Sequence, residues 1–89
     1  MGKSAFHPSL IVALSQTWLL TWSGLDRPGI TTQALGVLSR HGAELLDLGQ
    51  AVLGGQLSLS ILVRAQTSHD ESLLKDLLFE AKALGMKCE

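Results

Sequence analysis

The stretch Leu20-Thr21-Trp22-Ser23-Gly24-Leu25-Asp26-Arg27-Pro28-Gly29-Ile30 joins a hydrophobic strand to the start of a helix. Trp18, Leu20 and Trp22 fall at every second residue, which makes a strand with one firmly apolar face. Gly24 is read as the stop of that strand, Asp26 and Arg27 as a tight polar loop, and Pro28 and Gly29 as the opening of a helix. The first turn of a helix carries backbone N–H groups without intrahelical partners, so such a loop aims free donors at whatever lies before it. A carboxylate suits that position. Asp26, standing ahead of the helix, is expected to cap it or to stabilise the loop, whatever else it does.

Beyond the loop the spacing changes. Ile30, Ala34, Val37, Leu38 and His41 recur at helical intervals and form one stripe facing a sheet, and Gly42 ends that helix. Two runs, Leu45 to Leu53 and Gln56 to Arg64, flank Gly54-Gly55, the kind of pair a tight hairpin requires. The second run alternates, with Leu57, Leu59, Ile61 and Val63 on one face. The first is less regular, and a bulge is expected at Gly49. Ser68-His69-Asp70-Glu71 reads as a capping box ahead of a second helix, whose stripe is Leu74, Leu77, Leu78, Ala81 and Leu84 and whose end is Gly85. Met86 to Glu89 begins a further strand.

The order strand, helix, strand, strand, helix, strand predicts an α+β, ferredoxin-like βαββαβ sandwich: an antiparallel sheet with both helices on one face and the last strand cut short. The chain thus reads as a piece of something longer. Leu19 and Leu62, on the uncovered face, are either tolerated singly or covered by a partner. The domain is expected over residues 17–89, behind an extension over 1–16. Lys3 with Leu10 to Leu14 faintly resembles a secretory signal, but the apolar run falls short of the roughly 7 to 15 residues such a region needs. Pro8 and Ser9 can start a helical turn there, and the β-branched Ile11 and Val12 suit a strand.

Composition narrows the function classes. With 89 residues, 46% hydrophobic and 17% charged, the chain fits one packed domain. A net charge of −1 without a Lys/Arg cluster argues against nucleic-acid binding. No run is long enough to span a bilayer, and the single Cys88 allows neither an internal disulfide nor a zinc site, so a reducing, cytoplasmic setting is expected. His7, His41 and His69 lack metal-ligand spacing. His41 is read as packed or facing the helix dipole, Arg27 as solvated, and Trp18 and Trp22 as core or interface residues. Asp26, Asp47, Asp70 and Asp76 stand apart from one another, and no phosphate-binding loop or nucleophile triad is present.

Gly24 to Thr31, followed by Leu38 to Gln50, resembles the ACT domain, a small ferredoxin-like module that binds amino acids and regulates metabolic enzymes. The continuation Ala51 to Val63 is similar to the amino-terminal regulatory region of bacterial phosphoserine phosphatases, and the resemblance runs from Leu19 to Gly85. It implies an effector site at Asp26, Gly29 and Ile30: backbone N–H groups at Gly29 and Ile30 would hold the carboxylate of serine or glycine, and Asp26 would accept from its ammonium group. Asp47 and Gln50 would form the far wall of such a site in a partner subunit of a homodimer. It also implies a covalently attached phosphatase domain of the haloacid dehalogenase type, with an aspartyl nucleophile and Mg2+. No Asp-x-Asp motif occurs in this chain, so the expectation here is a non-catalytic domain without a cofactor. Two other readings stay open: a dimerisation module that binds no ligand, and a free-standing amino-acid sensor.

Overall fold

The computed structural model describes residues 15–89. The readings placed on Leu10 to Leu14 lie outside them. Strand β1 (Ser15–Leu25) leads to helix α1 (Ile30–Arg40), the hairpin β2 (Glu44–Leu53) and β3 (Gln56–Gln66), helix α2 (Thr67–Ala83) and the short β4 (Lys87–Cys88). The sheet order is β2-β3-β1-β4, antiparallel between neighbours, as the ferredoxin-like reading requires. β1 starts at Ser15, two residues ahead of the expected boundary at 17. Gly24 does not stop it, since the strand runs on to Leu25 and pairs with β3 along its whole length.

Period two explains the sheet. Trp18, Leu20 and Trp22 face Val63, Ile61 and Leu59 across the β1–β3 ladder, all on the side covered by the helices. Ile30, Ala34, Val37 and Leu38 of α1, with Leu73, Leu77 and Ala81 of α2, close the same core. Each large aliphatic side chain sealed there contributes about 1.5–3 kcal/mol relative to exposure. The other face carries Thr21, Ser60 and the exposed Leu19, Leu25 and Leu53, together with an Arg64–Glu44 ion pair at 3.0 Å.

Three local expectations are corrected. The bulge in β2 lies at Leu46, between Leu45 and Asp47, not at Gly49: Leu45 pairs with Val63 and Asp47 with Leu62. The extra residue lets both Leu45 and Leu48 face the helices despite their odd spacing. The capping box does not form. Gln66 closes β3 and is itself the N-cap of α2, so Ser68 lies inside the helix and no side chain caps it. The buried stripe of α2 is Leu73, Leu77 and Ala81, while Leu78 is 54% exposed.

Both helices end in the same way. Ala43 N–H reaches Leu38 O at 3.0 Å and Gly42 N–H reaches Ser39 O at 3.1 Å, while Met86 and Gly85 repeat the pattern onto Ala81 (2.8 Å) and Lys82 (3.1 Å). These paired bonds satisfy last-turn carbonyls and fold the chain sharply back toward the sheet. The hairpin turn needs positive φ at both central residues, which Gly54 (59°) and Gly55 (78°) supply.

Candidate functional site

The loop between β1 and α1 is shaped by Pro28 and Gly29. Gly29 has φ 88° and ψ −3°, the left-handed conformation demanded at the third position of a type II turn whose second residue is proline. Gly29 is also the N-cap of α1, where it has no side chain to offer the free N–H groups. The first turn contains no acidic residue either, so the positive end of α1 is not neutralised by its own sequence. Asp26 is therefore not the cap. It lies three residues before Gly29 with an exposed side chain, and its backbone N–H donates to Gly55 O at 2.9 Å, fastening the loop to the hairpin turn.

Ile30 is 2% exposed, so its side chain belongs to the core and only its backbone is available to a ligand. The next residue, Thr31, donates its hydroxyl to Gln50 Oε1 at 2.8 Å. This bond brings Gln50 of β2 beside the first turn of α1 and leaves the Gln50 amide NH2 as a donor. Asp47 goes elsewhere. Three residues from Gln50 along a strand, it points to the opposite face of the sheet, and its carboxylate accepts from the Leu48 N–H at 2.8 Å. The structure thus gathers Gly29, Ile30 and Gln50, sets Asp26 on the adjoining loop, and separates Asp47 from them.

Besides the Thr31–Gln50 bond, two further contacts escaped the sequence reading. Arg27 is not merely solvated: its guanidinium donates to the carbonyl of Leu84, the C-cap residue of α2. His41, at the C-cap of α1, meets Asp76 Oδ2 through Nε2 at 2.7 Å and ties the two helices together. The inward stripe pointed to a packed His41, but nothing in the sequence singles out a partner 35 residues away. Thr31 gave no signal beyond being polar in a first turn.

The remaining chemistry is sparse. Among the described residues no group of three or more His, Cys, Asp or Glu side chains is placed to hold a metal ion, and no helix is long and apolar enough to cross a membrane. An open cleft of about 650 Å³, lined by residues including Ser23, Ala51, Leu53 and Lys87, lies mainly on the outer sheet face rather than at the loop. Trp18 buries an indole N–H without a hydrogen-bond partner. Burial pushes the Cys88 thiol above its ordinary pKa; Trp22 opposes this and the Glu89 carboxylate adds to it.

A split βαβ sheet with both helices on one face, and the start of α1 set beside β2, defines a small ferredoxin-like domain. Residues 16–89 match the ACT domain family, and the chain belongs to it. ACT domains generally bind small amino acids and often dimerise. The chain is 47% identical over 45 residues, 51% of its length, to phosphoserine phosphatase SerB2 of Mycobacterium tuberculosis, and spans only 11% of that relative. Solved structures share the fold, among them two that overlap most of this chain. An ACT domain protein from Streptococcus pneumoniae superposes with a TM-score of 0.71 at 22% identity, covering 82% of this chain and 84% of that one. Formyltetrahydrofolate deformylase from Burkholderia mallei gives 0.73 at 17% identity, covering 82% of this chain and 27% of the other.

Proposed function

We propose that this chain is the regulatory, serine-binding domain of a cytoplasmic phosphoserine phosphatase of serine biosynthesis, acting as a homodimer and not catalytic by itself. The observation that carries the reading is the start of α1, held uncapped and without acidic neighbours beside Gln50. There the N–H groups at Gly29 and Ile30 receive the effector's carboxylate, and the absence of a side chain at Gly29 permits close approach. Asp26 accepts from the ammonium group, and the free amide of Gln50 is available to the serine hydroxyl. Asp47, on the outer face, is left for a contact with a partner subunit. The partial likeness to phosphoserine phosphatase SerB2 supports serine as effector and a phosphatase domain, with its Mg2+, in the same polypeptide. Effector binding then shifts the phosphatase between two states by binding one of them more tightly.

A scaffold reading, in which the domain only dimerises, draws on the exposed Leu19, Leu25 and Leu53 of the outer face. Calorimetric titration with L-serine and glycine separates the two. The effector reading expects saturable heat with serine, weakened about tenfold or more by Asp26→Ala because a charge-assisted bond is lost. A folded dimer that gives no heat with either amino acid overturns it.

A further inference from the structure

Arg27 occupies the middle of the effector loop yet spends its guanidinium on another element. It donates to the carbonyl of Leu84, where α2 ends and the chain turns through Gly85 and Met86 into β4. That carbonyl is one of the last-turn acceptors with no intrahelical donor, at the negative end of the α2 dipole, which favours a cation. The same junction is pressed from below by the end of β1: a Cβ at Gly24 would lie 3.2 Å from Gly85 O. β4 beyond it is held to β1 by the pairs Trp22–Cys88 and Ser23–Lys87 and by the two bonds between Thr21 and Glu89, each 2.9 Å. The loop that meets the effector and the turn that leads into the last strand are therefore joined by one polar contact.

We infer that Arg27 is a ligand-sensitive latch between the effector loop and the α2–β4 turn; this rests on the effector reading of the loop. In the free domain the guanidinium holds Leu84 O. An α-carboxylate arriving at the start of α1 offers an ionised, two-oxygen acceptor, which forms hydrogen bonds roughly twice as strong as a neutral carbonyl and matches the guanidinium fork. Arg27 transfers to the carboxylate, Leu84 O loses its side-chain donor, and the turn at Gly85 and Met86 loosens. Effector occupancy is thereby passed to β4, at the edge of the sheet.

The test is amide NMR and hydrogen exchange on the whole chain, with and without L-serine, for the unmodified protein, Arg27→Gln and Arg27→Lys. In the unmodified protein serine is expected to shift the amides of Gly29 to Thr32 and also those of Gly85 and Met86, whose exchange becomes about fivefold faster, as expected for loss of one exposed hydrogen bond. In Arg27→Gln the Gly85 and Met86 amides sit near their serine-bound positions before any ligand is added, and Arg27→Lys restores the free positions in part. Loop amides that shift while Gly85 and Met86 stay still overturn the latch, as does an Arg27→Gln spectrum with Gly85 and Met86 at their unmodified positions. Serine that moves no amide at all overturns the effector reading, and the ligand-free comparison of Arg27→Gln then decides whether the contact itself exists.

Discussion

At the scale of the residue, much of this domain depends on positions where a side chain is missing. Gly24 is a strand residue on the helix side of β1, and the space its Cβ would fill is taken by Met86 Sδ at 2.9 Å and Gly85 O at 3.2 Å. The sulfur can swing away, but the carbonyl is backbone. Gly24→Ala is therefore expected to destabilise the domain by about 1–3 kcal/mol through overpacking, read as a lowered midpoint with unchanged slope in urea unfolding. Gly24 illustrates what sequence can and cannot carry. Its residue type announced a local event, read as a strand stop, whereas its cause is a contact with a segment some 60 residues away. Pro28 and Gly29 were legible as the opening of a helix, because the signal lies in adjacent residues, though they stand just ahead of it in a type II turn. The jobs of Arg27 and Asp26 were not, since Leu84 O and Gly55 O reach them only through the tertiary fold.

At the scale of the element, α2 shows how a correct helix can be given a wrong face. Leucines at 73, 74, 77 and 78 offer two overlapping stripes, and periodicity alone favours neither. The sheet decides: Leu73, Leu77 and Ala81 are sealed, Leu74 is half-buried, and Leu78 faces outward beside Phe79, which is 74% exposed. Leu73→Ala is expected to cost about 2–5 kcal/mol, whereas Leu78→Ala should stay within roughly 0.5 kcal/mol of the unmodified protein. Comparable losses in thermal or urea unfolding would contradict the observed orientation. The misplaced capping box belongs to the same scale. Ser68 and Glu71 have the right spacing, but β3 is hydrogen-bonded to β1 as far as Gln66, and the helix takes over at the next residue. A short-range signal was outvoted by the length of a strand ladder. In β2, likewise, the bulge at Leu46 comes from reconciling Leu45 and Leu48 with one face, and a glycine elsewhere in the strand was not its mark.

At the scale of the whole molecule, the ferredoxin-like order was legible because runs of period two and stripes of period 3.6 alternate along the chain, even where a face or an end was misplaced. The site was legible only as a loop. That Asp47 and Gln50 face opposite ways follows from their three-residue separation, once both are placed on one strand. The short β4 gives the fold a pH signature. Cys88 packs against Trp22 with its thiol pushed up by burial, so the folded state resists ionisation more than the unfolded chain does. Between the two pKa values the unfolded state has released a proton that the folded state retains, and stability must fall as pH rises through that alkaline window. Cys88→Ala should flatten this part of the stability–pH curve measured by denaturant titration; an unchanged slope would show that the thiol is not its source. The direct passage from β3 into α2 reaches furthest. One residue inserted at Gln66–Thr67 would advance α2 by about 100° about its axis, and the slots now filled by Leu73, Leu77 and Ala81 would receive Ser72, Asp76 and Glu80. Chain length at this joint thus acts as a phase setting: a single added peptide unit would turn the helix's polar side into the protein.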